Sequence, residues 1–341
     1  PWALPSWGVR FVAPNLRHLD VPFKQAYDPA REPAPGFIAT RLDFDSFLTG
    51  KAAAHPLVDF RPATQVTGAR YTPGGLELTL AQGGPLVAPL VLAADGAQGL
   101  LARQLAGQRL APRHHSAGLR QYFENVSGLP PDGFIELHFL KELLPGYLWI
   151  FPLPDGRANV GLGLRSDHVA RKRINLKKLL AELLHTHPAL APRFAGARPL
   201  ETPRGFGLPL GSRRLPLAHE RLLLLGDAAS LIDPFTGEGI GNALISGMLA
   251  ARQAQAALAA GDCGARALAP YTTAVYARLG SELALGAAMQ RLVQLPWLFN
   301  FVVNKARRSP TLRATISCMF EDLDLRARLR SPGFYLRLLT E

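Results

Sequence analysis

Hydrophobic and polar positions change period several times along the chain, and each change marks an element. Residues 1–35 are Pro-rich and irregular, with short strand-like pieces such as Val9–Val12. The segment Phe37–Lys51 reads FIATRLDFDSFLTGK, which predicts a short strand, a turn capped by Asp43 or Asp45, and a helix. Strand-like runs broken by glycine follow at Thr64–Tyr71, Leu76–Leu80 and Leu86–Ala93, and Gly74-Gly75 suits a hairpin between the first two. The pattern turns helical over Ala97–Leu105. Residues 113–165 alternate apolar and polar side chains over several stretches, the pattern of antiparallel strands in a half-exposed sheet. Leucines at helical spacing predict a helix over 174–194. Four leucines, Leu222–Leu225, form a run suited to a parallel strand buried on both faces. Helical segments then run from Glu238 to about Ala260 and from Tyr271 to Gln294, and the stretch from Pro296 to Glu341 is basic, apolar and helical in pieces. Strands alternating with helices at both ends, around an antiparallel insert, predict an α/β nucleotide-binding fold with a second sheet.

Composition narrows the class. The 341 residues are 48% hydrophobic and 19% charged, enough apolar content for a buried core and too much for a disordered chain. Two cysteines, Cys263 and Cys318, exclude a disulfide scaffold. No apolar run reaches the roughly 18 to 20 residues that a membrane-spanning helix needs, and the opening Pro1–Pro5 has no signal-peptide pattern. The net charge of +12 fits a nucleic acid, an anionic membrane surface or an anionic cofactor. With no nucleic-acid module in view, the last two remain, beside a simple Arg-rich composition. The pairs His114-His115 and His185/His187 lack partners at metal-ligand spacing, so no metal site is expected. No G-x-S-x-G elbow is present.

The chemistry concentrates in RLLLLGDAASLIDPFTGEGIGNALISGMLA, Arg221–Ala250. A buried strand ends at Gly226-Asp227, and an acidic side chain at a strand's carboxyl end lies where open α/β sheets bind ligands. There it can accept hydrogen bonds from sugar hydroxyls. Pro234, Gly237, Gly239 and Gly241 follow, then a helix. Glycines let the backbone approach a flat ligand, and the free amides of a helix start suit an electron-rich group such as a reduced flavin.

This segment resembles the second FAD-binding motif of flavoprotein hydroxylases, and its full form most resembles the geranylgeranyl reductase family. The resemblance implies that Gly226 and Asp227 serve the FAD ribityl or ribose region. It also implies that Pro234, Gly237 and Gly239, followed by Ile240, Gly241 and Asn242, lie against the isoalloxazine ring. LVLAADGAQGLLARQLAG resembles the DG motif of these flavoproteins, with Asp95, Gly96 and Arg103 in cofactor-binding positions; Gly99 stands where the family commonly has Ser. Arg41 with Phe44-Asp45 resembles the family's R-x-x-F-D, whose Arg lies near the FAD. LPGYLWIFPLPDGRANVGLG resembles its Y-x-W-x-F-P element followed by V-G-L-G. Alternation puts Tyr147, Trp149 and Phe151 on one strand face; in the family this strand borders the lipid cavity, so Tyr147 and Trp149 are expected to line it, with Tyr147 a guess for proton donor.

The resemblance implies an FAD/NAD(P)-binding, Rossmann-like fold of hydroxylase type with an inserted antiparallel substrate sheet and a helical C-terminal region. The expected divisions are 1–110 and 206–260 for the FAD-binding domain, 111–205 for the substrate domain and 261–341 for the helical region. Members open with a strand–G-x-G-x-x-G–helix unit that grips the FAD pyrophosphate, and these 341 residues contain no such motif. The expectation is therefore a truncated member, or one whose missing unit a separate chain supplies, with weakened FAD binding. The implied function is reduction of double bonds in an isoprenoid or polyprenyl lipid, with FAD as cofactor and NAD(P)H or ferredoxin as electron donor. A cytoplasmic location is expected, with peripheral membrane contact through the basic tail and no nucleic-acid partner. Two alternatives remain: an FAD-dependent monooxygenase or halogenase, although Tyr147 and Phe151 depart from the halogenase W-x-W-x-I-P element, and a cofactor-free fragment without activity.

Overall fold

The computed structural model describes residues 2–24, 28 and 30–308. Strands β1 (Ala3–Ser6), β2 (Gly8–Val12), β3 (His18–Pro22) and β4 (Gly36–Ala39) lead into helix α1 (Arg41–Ala53). Strands β5 (Val66–Thr72), β6 (Gly75–Leu80), β7 (Leu86–Ala88) and β8 (Val91–Ala93) precede helix α2 (Leu100–Gln104). The middle of the chain forms β9 (His115–Glu124), β10 (Ile135–His138), β11 (Tyr147–Pro152), β12 (Ala158–Arg165), α3 (Ser166–Lys172), α4 (Leu176–Thr186) and α5 (Ala191–Phe194). Then come β13 (Arg198–Pro199), β14 (Arg204–Pro209), β15 (Ala218–His219), β16 (Leu222–Leu224), α6 (Ile240–Ala259), α7 (Ala265–Leu292) and α8 (Pro296–Arg308). The expected helical pieces beyond 308 lie outside the described residues.

Two local readings are corrected. The cap of α1 is Thr40, not Asp43 or Asp45: its Oγ1 accepts the Asp43 N–H at 3.2 Å. An N-cap must have extended backbone, which Thr40 has, whereas Asp43 is already helical and sits in the first turn where its charge suits the dipole. The run Leu86–Ala93 is not one strand. Pro89, with no N–H to donate, separates β7, which pairs antiparallel with β6, from β8, which pairs parallel with β16.

An eight-stranded sheet runs β13-β9-β12-β11-β10-β2-β3, with β14 also on β9; β2 joins β10 in parallel and the other pairs are antiparallel. Alternation divides its faces. Leu148, Ile150, Val160, Leu162 and Leu164 are buried on one side against Leu180, Leu183, Leu184 and Phe194 of α4 and α5. The opposite face carries Tyr147, Trp149 and Phe151, which pack with Val9, Leu137, Phe139 and Val303. A second sheet, β15-β16-β8, has its own core: Leu222, Leu223 and Leu224 lie beneath the α7 stripe Leu268, Tyr271, Val275, Leu279 and Leu283. No helix among the described residues is long and apolar enough to cross a membrane.

Candidate functional site

Because β8 and β16 are parallel and in register, Ala93 opposite Leu224, the DG and GD segments leave the sheet side by side at their carboxyl ends. Asp227 lies in the turn after β16. Burial pushes its carboxyl upward, and the Arg41 guanidinium pulls it partly back. Among the described residues none donates a hydrogen bond to that carboxylate. A half-buried carboxylate without donors is an acceptor suited to ligand hydroxyls. Arg41 itself is paired with Asp45 at 3.0 Å, and its backbone N–H donates to the Tyr122 hydroxyl at 3.3 Å. Helix α6 starts next to Asp227, since a Cβ on Gly239 would sit 3.3 Å from Asp227 Oδ1. No side chain caps α6, so its first amides keep their donor capacity.

The segment between is held from several sides. The Asp233 carboxylate accepts the N–H groups of Phe235 at 2.9 Å and Thr236 at 2.8 Å, an Asx turn. The Gly237 N–H donates back to the Asp233 carbonyl at 3.0 Å, and Asp233 N–H to the Glu238 carbonyl at 2.8 Å. From β11, the Tyr147 hydroxyl donates to the Thr236 carbonyl. From α7, Gln290 Nε2 donates to the Pro234 carbonyl at 2.6 Å. Asn242 Nδ2 is spent on the Leu231 carbonyl at 2.7 Å, and Ser246 Oγ accepts the Gly226 N–H at 3.0 Å.

Tyr147 and Trp149 meet at 6.2 Å between ring centroids, and Trp149 and Phe151 at 6.3 Å. The Trp149 indole lies flat over the neighbouring strand: a Cβ on Gly161 would be 2.3 Å from its Cζ2, and its Nε1 donates to Asn159 Oδ1 at 3.2 Å. Phe139 extends this wall, 5.5 Å from Tyr147, 5.8 Å from Phe235 and 4.6 Å from Phe299. Burial, with the Asp233 and Glu238 charges, pushes the Tyr147 hydroxyl upward, and its hydrogen is committed to a backbone carbonyl.

The structure thus brings together Arg41, Gly226, Asp227, the run Pro234–Asn242, Tyr147 and Trp149. Asp95 and Gly96 follow the adjacent strand end and Arg103 lies on α2, but the Asp95 and Arg103 side chains are engaged locally. Asp95 Oδ2 accepts the Leu101 N–H at 3.1 Å, and Arg103 Nε donates to the Gly99 carbonyl at 3.2 Å. The departure at Gly99 has a steric reason, because a Cβ there would be 2.3 Å from Asp95 Oδ1. Sequence reasoning missed Asp233, Phe139 and Gln290. The Asp-Pro-x-Thr run was a legible turn signal for Asp233; Phe139 and Gln290 reach the site only through tertiary packing.

No family model matches the chain. Over 266 residues it is 31% identical to the digeranylgeranylglycerophospholipid reductase of Methanoculleus marisnigri, covering 77% of this chain and 63% of that protein. Over 284 residues it is 31% identical to digeranylgeranylglycerophospholipid reductase 1 of Methanothermobacter thermautotrophicus, covering 81% of this chain and 67% of the relative. The digeranylgeranylglycerophospholipid reductase of Thermoplasma volcanium is 32% identical over 212 residues, covering 61% of this chain and 51% of that protein. Among solved structures, a geranylgeranyl bacteriochlorophyll reductase-like protein from Thermoplasma acidophilum superposes with a TM-score of 0.78 at 23% identity, over 91% of this chain and 78% of that one. The flavin-dependent brominase Bmp2 superposes at 0.70 with 18% identity, over 93% and 77%. The fold is that of FAD-dependent hydroxylases and halogenases, and the sequence likeness decides among its branches: the chain belongs to the geranylgeranyl reductase family, that of the digeranylgeranylglycerophospholipid reductases.

Proposed function

We propose that this chain binds FAD between the Asp227 turn and the start of α6 and reduces double bonds of an isoprenoid lipid. The observation that carries the reading is the Asp227 carboxylate, half-buried and without a donor among the described residues, beside an uncapped helix start. The site suits FAD: Asp227 would accept ribityl or ribose hydroxyls, and the first amides of α6 would face the electron-rich pyrimidine edge. Bound and reduced, FAD supplies a hydride to one alkene carbon while the neighbouring carbon takes a proton. Tyr147, Trp149 and Phe151 offer a polyprenyl chain a flat apolar wall that excludes water. Because the Tyr147 hydroxyl hydrogen is held by the Thr236 carbonyl, the role we assign Tyr147 is to hold this segment and line the wall. NAD(P)H and ferredoxin are the electron-donor classes to compare. We also propose peripheral contact with an anionic membrane through α8, where Trp297 and Phe301 are exposed near Lys305 and Arg308.

The test is titration of the purified chain with FAD, followed by anaerobic reduction with a geranylgeranyl lipid present and mass spectrometry of the product. Gain of two hydrogens per double bond is the expected result. Asp227→Asn should weaken FAD binding about tenfold or more, since hydrogen bonds to a charged group contribute about 1.5–3 kcal/mol. Substrate-dependent oxygen uptake with a hydroxylated product would replace the reductase reading by a monooxygenase. Absence of FAD binding would favour a cofactor-free fragment.

A further inference from the structure

The long helix α7 packs Leu268, Tyr271, Val275, Leu279 and Leu283 into the core beneath β16. At helical spacing the stripe continues to Gly286 and Gln290, and these two positions break the apolar pattern. Gly286 lies against Asp233 and Gln290 against Pro234. A Cβ on Gly286 would be 2.4 Å from Asp233 Oδ2, so only glycine lets the Asx-turn carboxylate lie against the helix. One turn on, Gln290 is 8% exposed and spends its amide on the Pro234 carbonyl at 2.6 Å. From the other side Tyr147 takes the Thr236 carbonyl. Two carbonyls of one short segment are therefore each held by a donor from a different element, Pro234 by α7 and Thr236 by β11.

We infer that Gln290, with Gly286 beneath it, is a positioning residue that braces the Pro234–Gly239 segment so that the start of α6 stays aimed at the flavin. The inference rests on the FAD reading above. It gives α7, which carries no residue of the resemblance motifs, a part in the cofactor site. A carbonyl released from Gln290 is free to turn towards the ligand. Its negative end would then oppose the electron-rich reduced ring more than the oxidised one, so loss of the brace should weaken reduced FAD preferentially and lower the bound flavin's reduction potential.

Three proteins decide the matter: wild type, Gln290→Leu, which has no donor at similar volume, and Gln290→Glu, which is a donor only when protonated. Amide hydrogen exchange without FAD should be about tenfold faster at Phe235–Gly239 in Gln290→Leu, the effect of one buried carbonyl left unpaired. Exchange in β16 should be unchanged, which separates a local brace from general unfolding. FAD titration and redox potentiometry should give weaker binding and a lower midpoint potential for Gln290→Leu. Gln290→Glu should match wild type at acidic pH and Gln290→Leu at alkaline pH, a profile that packing alone would not produce. Equal exchange at Phe235–Gly239 in wild type and Gln290→Leu overturns the brace. So does faster exchange with unaltered FAD affinity and potential. Failure of wild type to bind FAD overturns the site reading instead, and the exchange comparison still decides whether Gln290 holds the segment.

Discussion

Glu136 is the most deeply buried carboxylate of the large sheet, with its side chain 2% exposed. It survives ionised because Arg193 from α5 donates two hydrogen bonds, at 2.7 and 2.8 Å, and His138 Nε2 stands 3.0 Å away. Burial would raise its pKa, but these partners carry it down from 4.5 to about 2. A carboxylate with a depressed folded pKa contributes stability above its unfolded value and loses it as pH falls through the folded one. The stability held by Glu136 should therefore be complete above about pH 4.5 and disappear towards pH 2, an effect of about 3 kcal/mol. Urea unfolding at stepped pH checks this, and Glu136→Gln should flatten the acid limb. Arg193→Met should cost about 3–5 kcal/mol at neutral pH, since it strands a buried charge; a smaller loss than in exposed-pair controls would refute the assignment. None of this was legible in the sequence, where Glu136 and Arg193 are 57 positions apart. Asp227, by contrast, was legible because a strand end, not a distant partner, defines its place.

At the scale of elements, the alternation in Tyr147–Pro152 was readable because one face is fully buried and the other, which carries the aromatic rings, only partly so. What alternation does not specify is a partner strand, so Leu86–Ala93 reads as one run although its halves join different sheets. Nor does it reveal that β12 supplies glycines so that the Trp149 ring can lie across it. The two glycines make a matched comparison. At Gly161 a Cβ would be 2.3 Å from both the Leu119 carbonyl and the Trp149 ring, whereas at Gly163 the nearest atom is Trp149 Cζ3 at 3.7 Å. Gly161→Ala should cost about 1–3 kcal/mol through overpacking and lift the indole, changing the Trp149 component of the fluorescence relative to Trp149→Phe. Gly163→Ala should leave both near wild type. Equal behaviour of the two variants would mean that the indole does not press on β12.

At the scale of the whole molecule, β2 and β3 complete the large sheet through a parallel pairing with β10 more than a hundred residues away, and α8 then packs on β3 through Phe299, Val303 and Ala306. That packing decides which side of α8 faces out. Trp297 is 66% exposed and Phe301 46%, with Arg308 following at helical spacing and Lys305 beside them. Aromatic rings near basic side chains suit the boundary of an anionic bilayer, where each basic residue near the surface contributes about 1 kcal/mol and salt screens the attraction. The sequence made the composition of this segment visible, but its outward face followed only from the sheet edge beneath it. On the membrane proposal, the chain should co-sediment with vesicles containing phosphatidylglycerol at low salt and be released as salt rises. A Trp297→Ser, Phe301→Ser double variant should lose binding at every salt concentration, while Lys305→Gln with Arg308→Gln should remove about 2 kcal/mol and much of the salt dependence. Equal binding to purely zwitterionic vesicles would refute the electrostatic part. Retention of binding by both double variants would show that a different face meets the lipid, leaving α8 as a cap on the sheet edge.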